Sequence, residues 1–278
     1  MTISSGSPSA TTPEEGRTAP GDPGLSSSLL ALRGISKSFG PVQAVTGVNL
    51  DIPAGQVTAL IGDNGAGKTV LIKTIAGIWG PTSGKMYWNG EEVHVHTPRD
   101  AEHLGIATVY QDLALCDNLD IVHNMYLGHE KTKFGVLDEI SMELSTKKTL
   151  ADLSVSTVKS VRQLVRSLSG GQRQAIAVTR AVMRESRLVI MDEPTAALGV
   201  SQTAQVLNLI KTLADRGIAV IVISHNLNDV FQVADRIAVM YLGSLVSSGP
   251  ISDYDMSSAV DLITTGGSSR APSTPSTK

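Results

Sequence analysis

Three short runs of this chain place glycine, lysine, hydroxyl and carboxylate side chains at spacings suited to phosphate chemistry. The first is Gly62-Asp63-Asn64-Gly65-Ala66-Gly67-Lys68-Thr69, which matches the phosphate-loop pattern G-x-x-x-x-G-K-[ST]. Its glycines let successive backbone N–H groups converge on phosphate oxygens, and the helix start that follows adds a favourable dipole. Lys68 is placed to reach the β- and γ-phosphates of a nucleotide, and the Thr69 hydroxyl can ligate Mg²⁺. The second run, Leu188-Val189-Ile190-Met191-Asp192-Glu193, is apolar and ends in two carboxylates. Neighbouring strand residues face opposite sides, so the two acids are expected to do different work. Asp192 suits a metal shell, and Glu193 suits orienting or deprotonating water at the terminal phosphate. The third run is Leu168-Ser169-Gly170-Gly171-Gln172-Arg173-Gln174, a second helix start whose hydroxyl and glycine N–H groups can meet an anion.

These groups need elements to hold them, and the chain alternates strand-like with helix-like segments, the rhythm of a layered α/β domain. Strands are expected over Leu29–Ser36, Val45–Ile52 and Val57–Ile61, the last feeding the phosphate loop and a helix over Lys68–Ile78. Gly84–Val95 reads as a hairpin around Asn89-Gly90, and Ile106–Tyr110 as a short strand. Between about 113 and 168 the character changes to helical segments with polar interruptions, an inserted subdomain. The α/β rhythm then resumes with helix Gln172–Met183, strand Leu188–Met191, helix Gln202–Arg216, strand Ile218–Ile223, helix Asn226–Ala234 and strand Ile237–Tyr241. No internal repeat is visible, so one nucleotide-binding unit is expected.

With 278 residues, a net charge of −3 and a pI near 6.1, the chain has room for a sizeable core and lacks the basic surface of a nucleic-acid binder. Its one cysteine, Cys116, excludes an internal disulfide and reads as a small apolar side chain, with no neighbour to activate it as a nucleophile. His94, His96, His103, His123 and His129 follow no metal-ligand spacing. No apolar stretch reaches the roughly 18–20 residues that span a bilayer. Residues 1–28 and 266–278, rich in Ser, Thr, Pro and Gly, are expected to be disordered tails, and residues 1–28 lack the basic start and apolar core of a secretory signal.

The run from Leu168 to Gln174 resembles the signature sequence of the ATP-binding cassette (ABC) family, and the resemblance extends over nearly all of residues 29–265. It implies an α/β nucleotide-binding domain: a RecA-like phosphate-loop core, an antiparallel β subdomain and an inserted helical subdomain at about 113–168. Phe39, in Lys37-Ser38-Phe39-Gly40, matches the aromatic that stacks on adenine, although an exposed Phe in isolation is more often core. Gln111, after Val109-Tyr110, matches the glutamine that reaches Mg²⁺ and the attacking water. His225, after Ile223-Ser224, matches the histidine that contacts the γ-phosphate and holds Glu193.

By this resemblance, ATP is held by Phe39, Gly62, Asn64, Gly65, Ala66, Gly67, Lys68, Thr69 and Val70, and by Ser169, Gly170, Gly171 and Gln172 of a second cassette. Mg²⁺ falls to Thr69, Gln111 and Asp192, and hydrolysis to Lys68, Gln111, Glu193 and His225. A homodimer is the simplest arrangement, and a heterodimer with a related cassette is the other. Two departures stand out. Val70 replaces a hydroxyl residue beside the α-phosphate, a change expected to weaken nucleotide binding by about 1 kcal/mol. Gly199 replaces the usual Asp in the loop that touches the mate.

The runs Gly62–Gly67, Asn124-Met125-Tyr126-Leu127-Gly128 and Glu193–Val200 look like the ribose/xylose/fructose importer branch, where Gly199 also recurs. That implies an ATPase peripheral to the cytoplasmic face of the inner membrane. Its partners would be transmembrane permease subunits, docking at Gln111 to about Leu127, and an extracytoplasmic sugar-binding protein. The alternatives are a transporter of a non-sugar solute or a soluble ABC ATPase. The soluble class commonly carries long coiled-coil insertions or tandem cassettes, and neither is visible here.

Overall fold

Continuous burial of the central strands sets the architecture. In the computed structural model, which describes residues 28–155 and 158–267, strand β3 (Val57–Gly62) is buried along its whole length. Leu60 faces one apolar cluster, whereas Val57, Ala59 and Ile61 face another. A strand covered on both faces reads as a continuous apolar run, which is why Val57–Ile61 shows no polar alternation.

The chain begins with β1 (Leu30–Phe39) and β2 (Val42–Ile52), then β3, helix α1 (Lys68–Ile75) and the hairpin β4 (Ser83–Trp88) and β5 (Glu91–Val93). Asn89 and Gly90 close that hairpin with φ of 52° and 84°, the positive values a tight two-residue turn requires. Helix α2 (Pro98–His103) and strand β6 (Ile106–Val109) follow. The inserted segment holds α3 (Ile121–Tyr126), a small hairpin of β7 (Thr132–Lys133) and β8 (Val136–Leu137), and α4 (Glu139–Asp152). Helix α5 (Gly170–Val182) returns to the core, followed by β9 (Leu188–Asp192), α6 (Val200–Asp215), β10 (Ala219–Ile223) and α7 (Leu227–Val233). Strands β11 (Arg236–Tyr241) and β12 (Ser244–Pro250) and helix α8 (Met256–Thr265) complete the described chain.

Two main sheets result. One is antiparallel, in the order β2-β1-β4-β5; the other runs β12-β11-β3-β10-β9-β6, parallel except for the β11/β12 pair. The antiparallel sheet and α1 share an apolar cluster with one face of the parallel sheet through Leu32, Ile52, Leu71, Ile72, Ile190 and Ile221. Helices α5 to α8 cover the other face. The inserted helices have a core of their own, made by Ile121, Met125, Met142, Leu150 and Val165 with Ile176 of α5. Helix α5 is therefore the bridge between the insertion and the parallel sheet.

Most expected elements appear within a few residues of their expected bounds. The sequence reading lacked α2, the β7/β8 hairpin, β12 and α8. Of the expected tails, Ser28 is buried and its hydroxyl donates to Asp51 at 3.3 Å, and Gly266 caps α8 with φ 67°. Residues 1–27 and 268–278 lie outside the described residues.

Candidate functional site

The strand register gathers the chemistry at one edge of the parallel sheet. Val109 of β6 pairs with Met191 of β9, Asp192 pairs with Ile223 of β10, and Ile223 pairs with Leu60 of β3. The loops that leave these carboxyl ends carry Gln111, Glu193, His225 and Lys68. In open parallel sheets this is the edge where ligands bind.

The loop between β3 and α1 is shaped by two glycines. Gly62 has φ 153°, and a Cβ there would collide with the Met240 carbonyl oxygen. Gly67 has φ 97°, and its Cβ would lie 2.7 Å from the Ala44 carbonyl oxygen. No side chain larger than hydrogen fits either place without moving backbone. Lys68 Nζ donates to the carbonyl oxygens of Gly62 at 2.7 Å and Asp63 at 3.0 Å, so the ammonium is folded back over the loop. Burial lowers the Lys68 pKa, and the carboxylates of Glu193, Asp63 and Asp192 push back. Helix α1 has no acid in its first turn, which leaves its N-terminal N–H groups open to an anion. A cavity of about 420 Å³ opens here, lined by Val42–Ala44, Asn64–Val70, Leu242 and Gly243. Val70 lines this cavity while also packing on the adjoining apolar cluster.

The side chains of Asp192 and Glu193 are separated by a different device from strand alternation. Strand β9 ends at Asp192, and Glu193 takes a left-handed conformation with φ 51°. A non-glycine residue in that region is strained and needs surrounding contacts to hold it. The Glu193 N–H supplies one, donating to the Ile223 carbonyl at 2.9 Å. The turn throws the Glu193 carboxylate towards His225, whose Nδ1 lies 2.8 Å from Glu193 Oε2. Burial pushes the Asp192 carboxyl above its usual value, Glu193 adds to that, and Lys68 and Lys73 oppose it. Burial also raises the Tyr110 phenol, and Asp192 acts in the same direction, so the turn leading to Gln111 lies within electrostatic reach of Asp192.

Six expected residues, at three places in the chain, sit apart from this cluster or face it differently. Ser169 caps α5 by accepting from the Gln172 N–H at 3.4 Å, and the Gln172 side chain accepts from the Ser169 N–H at 2.9 Å. Gly170 and Gly171 pack against Leu198 and Gln202 at the start of α6. None of Ser169, Gly170, Gly171 or Gln172 lines the phosphate-loop cavity. Phe39 does not line it either; its ring stands edge-on to Trp79 at 4.9 Å, with Lys37 Nζ 5.1 Å away. Gly199 begins α6 with φ −75° and open space around it, a backbone any residue could adopt.

Two features escaped the sequence reading. Asn124, wholly buried in α3, accepts from the Cys116 N–H at 2.7 Å and donates to the carbonyls of Cys116, Leu119 and Asp120. It thereby fixes the loop that leads from Gln111 into the insertion. A second cleft, of about 360 Å³, lies between α2, the end of β6, the Asp112–Ala114 loop and α5. Arg180 closes its floor by donating to the carbonyls of Leu113 and Ala114 at 3.1 and 2.9 Å.

Comparison with known proteins returns one family. The model of the family described as "ABC transporter" matches residues 45–196. The fructose import ATP-binding protein FrcA of Rhizobium meliloti is 43% identical over 85% of this chain and 94% of its own length. The xylose/arabinose import ATP-binding protein XylG of Sulfolobus acidocaldarius is 44% identical over 79% of this chain and 87% of its own. Among solved structures, a nucleotide-free ATP-binding cassette from an ABC transporter superposes with a TM-score of 0.72 at 27% identity, over 80% of this chain and 91% of that one.

Proposed function

The chain belongs to the ABC transporter family, and from that premise we propose that it is the ATP-hydrolysing subunit of an importer for a monosaccharide, working beneath a separate membrane permease. The sugar reading rests on the fructose and pentose importers it is similar to. The hydrolytic reading rests above all on one observation: Glu193 Oε2 stands 2.8 Å from His225 Nδ1, at the same sheet edge as Lys68 and Asp192.

In this reading the phosphate loop and the N–H groups at the start of α1 bind the ATP phosphates, and Lys68 leaves its carbonyl partners for the terminal phosphates. Thr69, Gln111 and Asp192 offer oxygen donors of the hard type Mg²⁺ prefers. The charge conflict at Asp192, whose carboxyl is raised by burial and by Glu193, is one a cation would relieve. Mg²⁺ supplies neutralisation of phosphate charge when bound. Glu193 orients water and accepts its proton, and His225 keeps the Glu193 carboxylate aimed. Phosphoryl transfer is mainly positioning and charge stabilisation, and this set is one chain's share of it.

Ser169 to Gln172 complete the site from a second copy or a related cassette, bound head to tail, and Phe39 swings onto the adenine. The cleft beside Asp112–Ala114 takes the permease, a tighter placement than the whole of Gln111 to Leu127. Among the described residues no helix is long and apolar enough to cross a membrane, so attachment at the cytoplasmic face of the inner membrane would come through that permease. A sugar-binding protein acts on the permease's far side.

Glu193→Gln tests the chemistry: kcat should fall about 10²-fold or more with MgATP binding retained. Wild-type turnover in that variant would sink the assignment. Affinity capture from native membranes tests the role. A multispanning permease with an extracytoplasmic sugar-binding protein is the expected catch; a permease with a binding protein for another solute would overturn the sugar, and no membrane partner would overturn the transport role.

A further inference from the structure

The loop carrying Glu193 and the loop carrying His225 are tied together a second time, away from the reacting groups. Thr195, two residues beyond Glu193, donates its hydroxyl to Asp229 Oδ2 at 2.7 Å. Asp229 lies in the first turn of α7, four residues beyond His225, and is only 7% exposed. A short hydrogen bond to a buried carboxylate is among the stronger kinds and is costly to leave unmade.

Its location gives it mechanical meaning. The segment from Glu193 to Gly199 has two left-handed residues, Glu193 at φ 51° and Ala197 at φ 59°. Such a segment keeps its shape only when outside contacts fix it. The Glu193 N–H to Ile223 bond fixes its start, and Leu198 against Gly170 fixes its end. Thr195–Asp229 fixes its middle. On the other side, His225 is largely exposed, at 74% of its side chain, so little packing steadies the ring. Its direction comes from the backbone between β10 and α7, where Ser224 Oγ accepts the Asn226 N–H at 3.0 Å and Asp229 anchors the helix.

We infer that Thr195 and Asp229 are positioning residues for hydrolysis: their bond locks the two loops in the register that brings Glu193 and His225 to 2.8 Å. The inference rests on the reading of Glu193 as the catalytic carboxylate. Neither residue lines the phosphate-loop cavity. Loosening the clamp therefore slows the chemical step and leaves ground-state binding of ATP in place.

Steady-state hydrolysis by the purified full chain tests this, with thermal melts to confirm folding. Thr195→Val should lower kcat about tenfold with KM for MgATP within about twofold, because a displacement of under an ångström suffices for such a loss. Thr195→Ser, which keeps the hydroxyl, should restore at least half of the wild-type rate. Thr195→Val added to Glu193→Gln should slow that variant no further, since the clamp acts through Glu193. The clamp is overturned if Thr195→Val turns over at the wild-type rate while Glu193→Gln is slow, if Thr195→Ser is as slow as Thr195→Val, or if the double variant falls a further tenfold. Full activity in Glu193→Gln alone would overturn the catalytic reading and the clamp together.

Discussion

Asp192 is where the demands of folding and of chemistry pull hardest against each other. Burial first, and Glu193 second, hold its carboxyl above the ordinary carboxylate value, with Lys68 and Lys73 only partly compensating. A carboxyl raised on folding keeps its proton to higher pH in the native chain than in the unfolded one. Native stability therefore falls as pH rises from the unfolded pKa to the folded one, and above that the full penalty is present. The nucleotide-free chain carries that penalty at neutral pH. Asp192→Asn should accordingly raise the melting temperature at pH 7. The gain should shrink as pH falls towards about 4, and hydrolysis of MgATP should be lost. A variant that melts lower at pH 7 would show that the carboxylate is stabilising after all. Asp192 and Glu193 were legible in sequence because an apolar run ending in two acids has few other uses beside a phosphate loop. The physical route by which their side chains part was not: it lies in a left-handed φ that no residue pattern displays. Thr195 and Asp229 were hidden for another reason, since their contact joins residues 34 positions apart.

At the scale of elements, one side chain of α3 makes four hydrogen bonds to the loop that approaches it. Asn124 satisfies the Cys116 N–H and three carbonyls at a place that water cannot reach, being 0% exposed. Asn124→Leu keeps the volume and strands those groups, so unfolding free energy should drop by about 3 kcal/mol, read from the urea midpoint. Amide exchange at Cys116 should accelerate in step. An unchanged midpoint would mean the loop is held by other contacts. The periodic elements that carry the site were readable because apolar spacing and flanking glycines agree with the fold. The short ones were not: α2 has six residues and β7 and β8 two each, too few for a period to register. Their signals were of another kind. Thr97 and Asp100 form a capping box with Pro98 at the helix start, and Asp255 with Ser258 does the same for α8.

Across the whole molecule, the helix starts of the phosphate loop and of Ser169–Gln172 are in one chain but not in one cavity. The phosphate loop opens on a space lined by Val42–Ala44 and Asn64–Val70, whereas Ser169 to Gln172 pack beside the start of α6. If each catalytic site takes its phosphate loop from one chain and its signature helix from another, two inactive variants should rescue each other. Lys68→Ala destroys the phosphate loop and spares the signature; Ser169→Arg does the reverse. Each homodimer then has two broken sites. A mixed dimer joins both lesions in one site and leaves the other wholly native. With random exchange about half of the dimers are mixed, and each has one good site, so the mixture should recover roughly a quarter of wild-type hydrolysis. If Ser169 served the phosphate loop of its own chain, every site in the mixture would remain broken and no activity would return. Recovery that rises with total protein concentration, at fixed MgATP, would further identify the active species as the dimer, because association follows mass action and folding of a single chain does not.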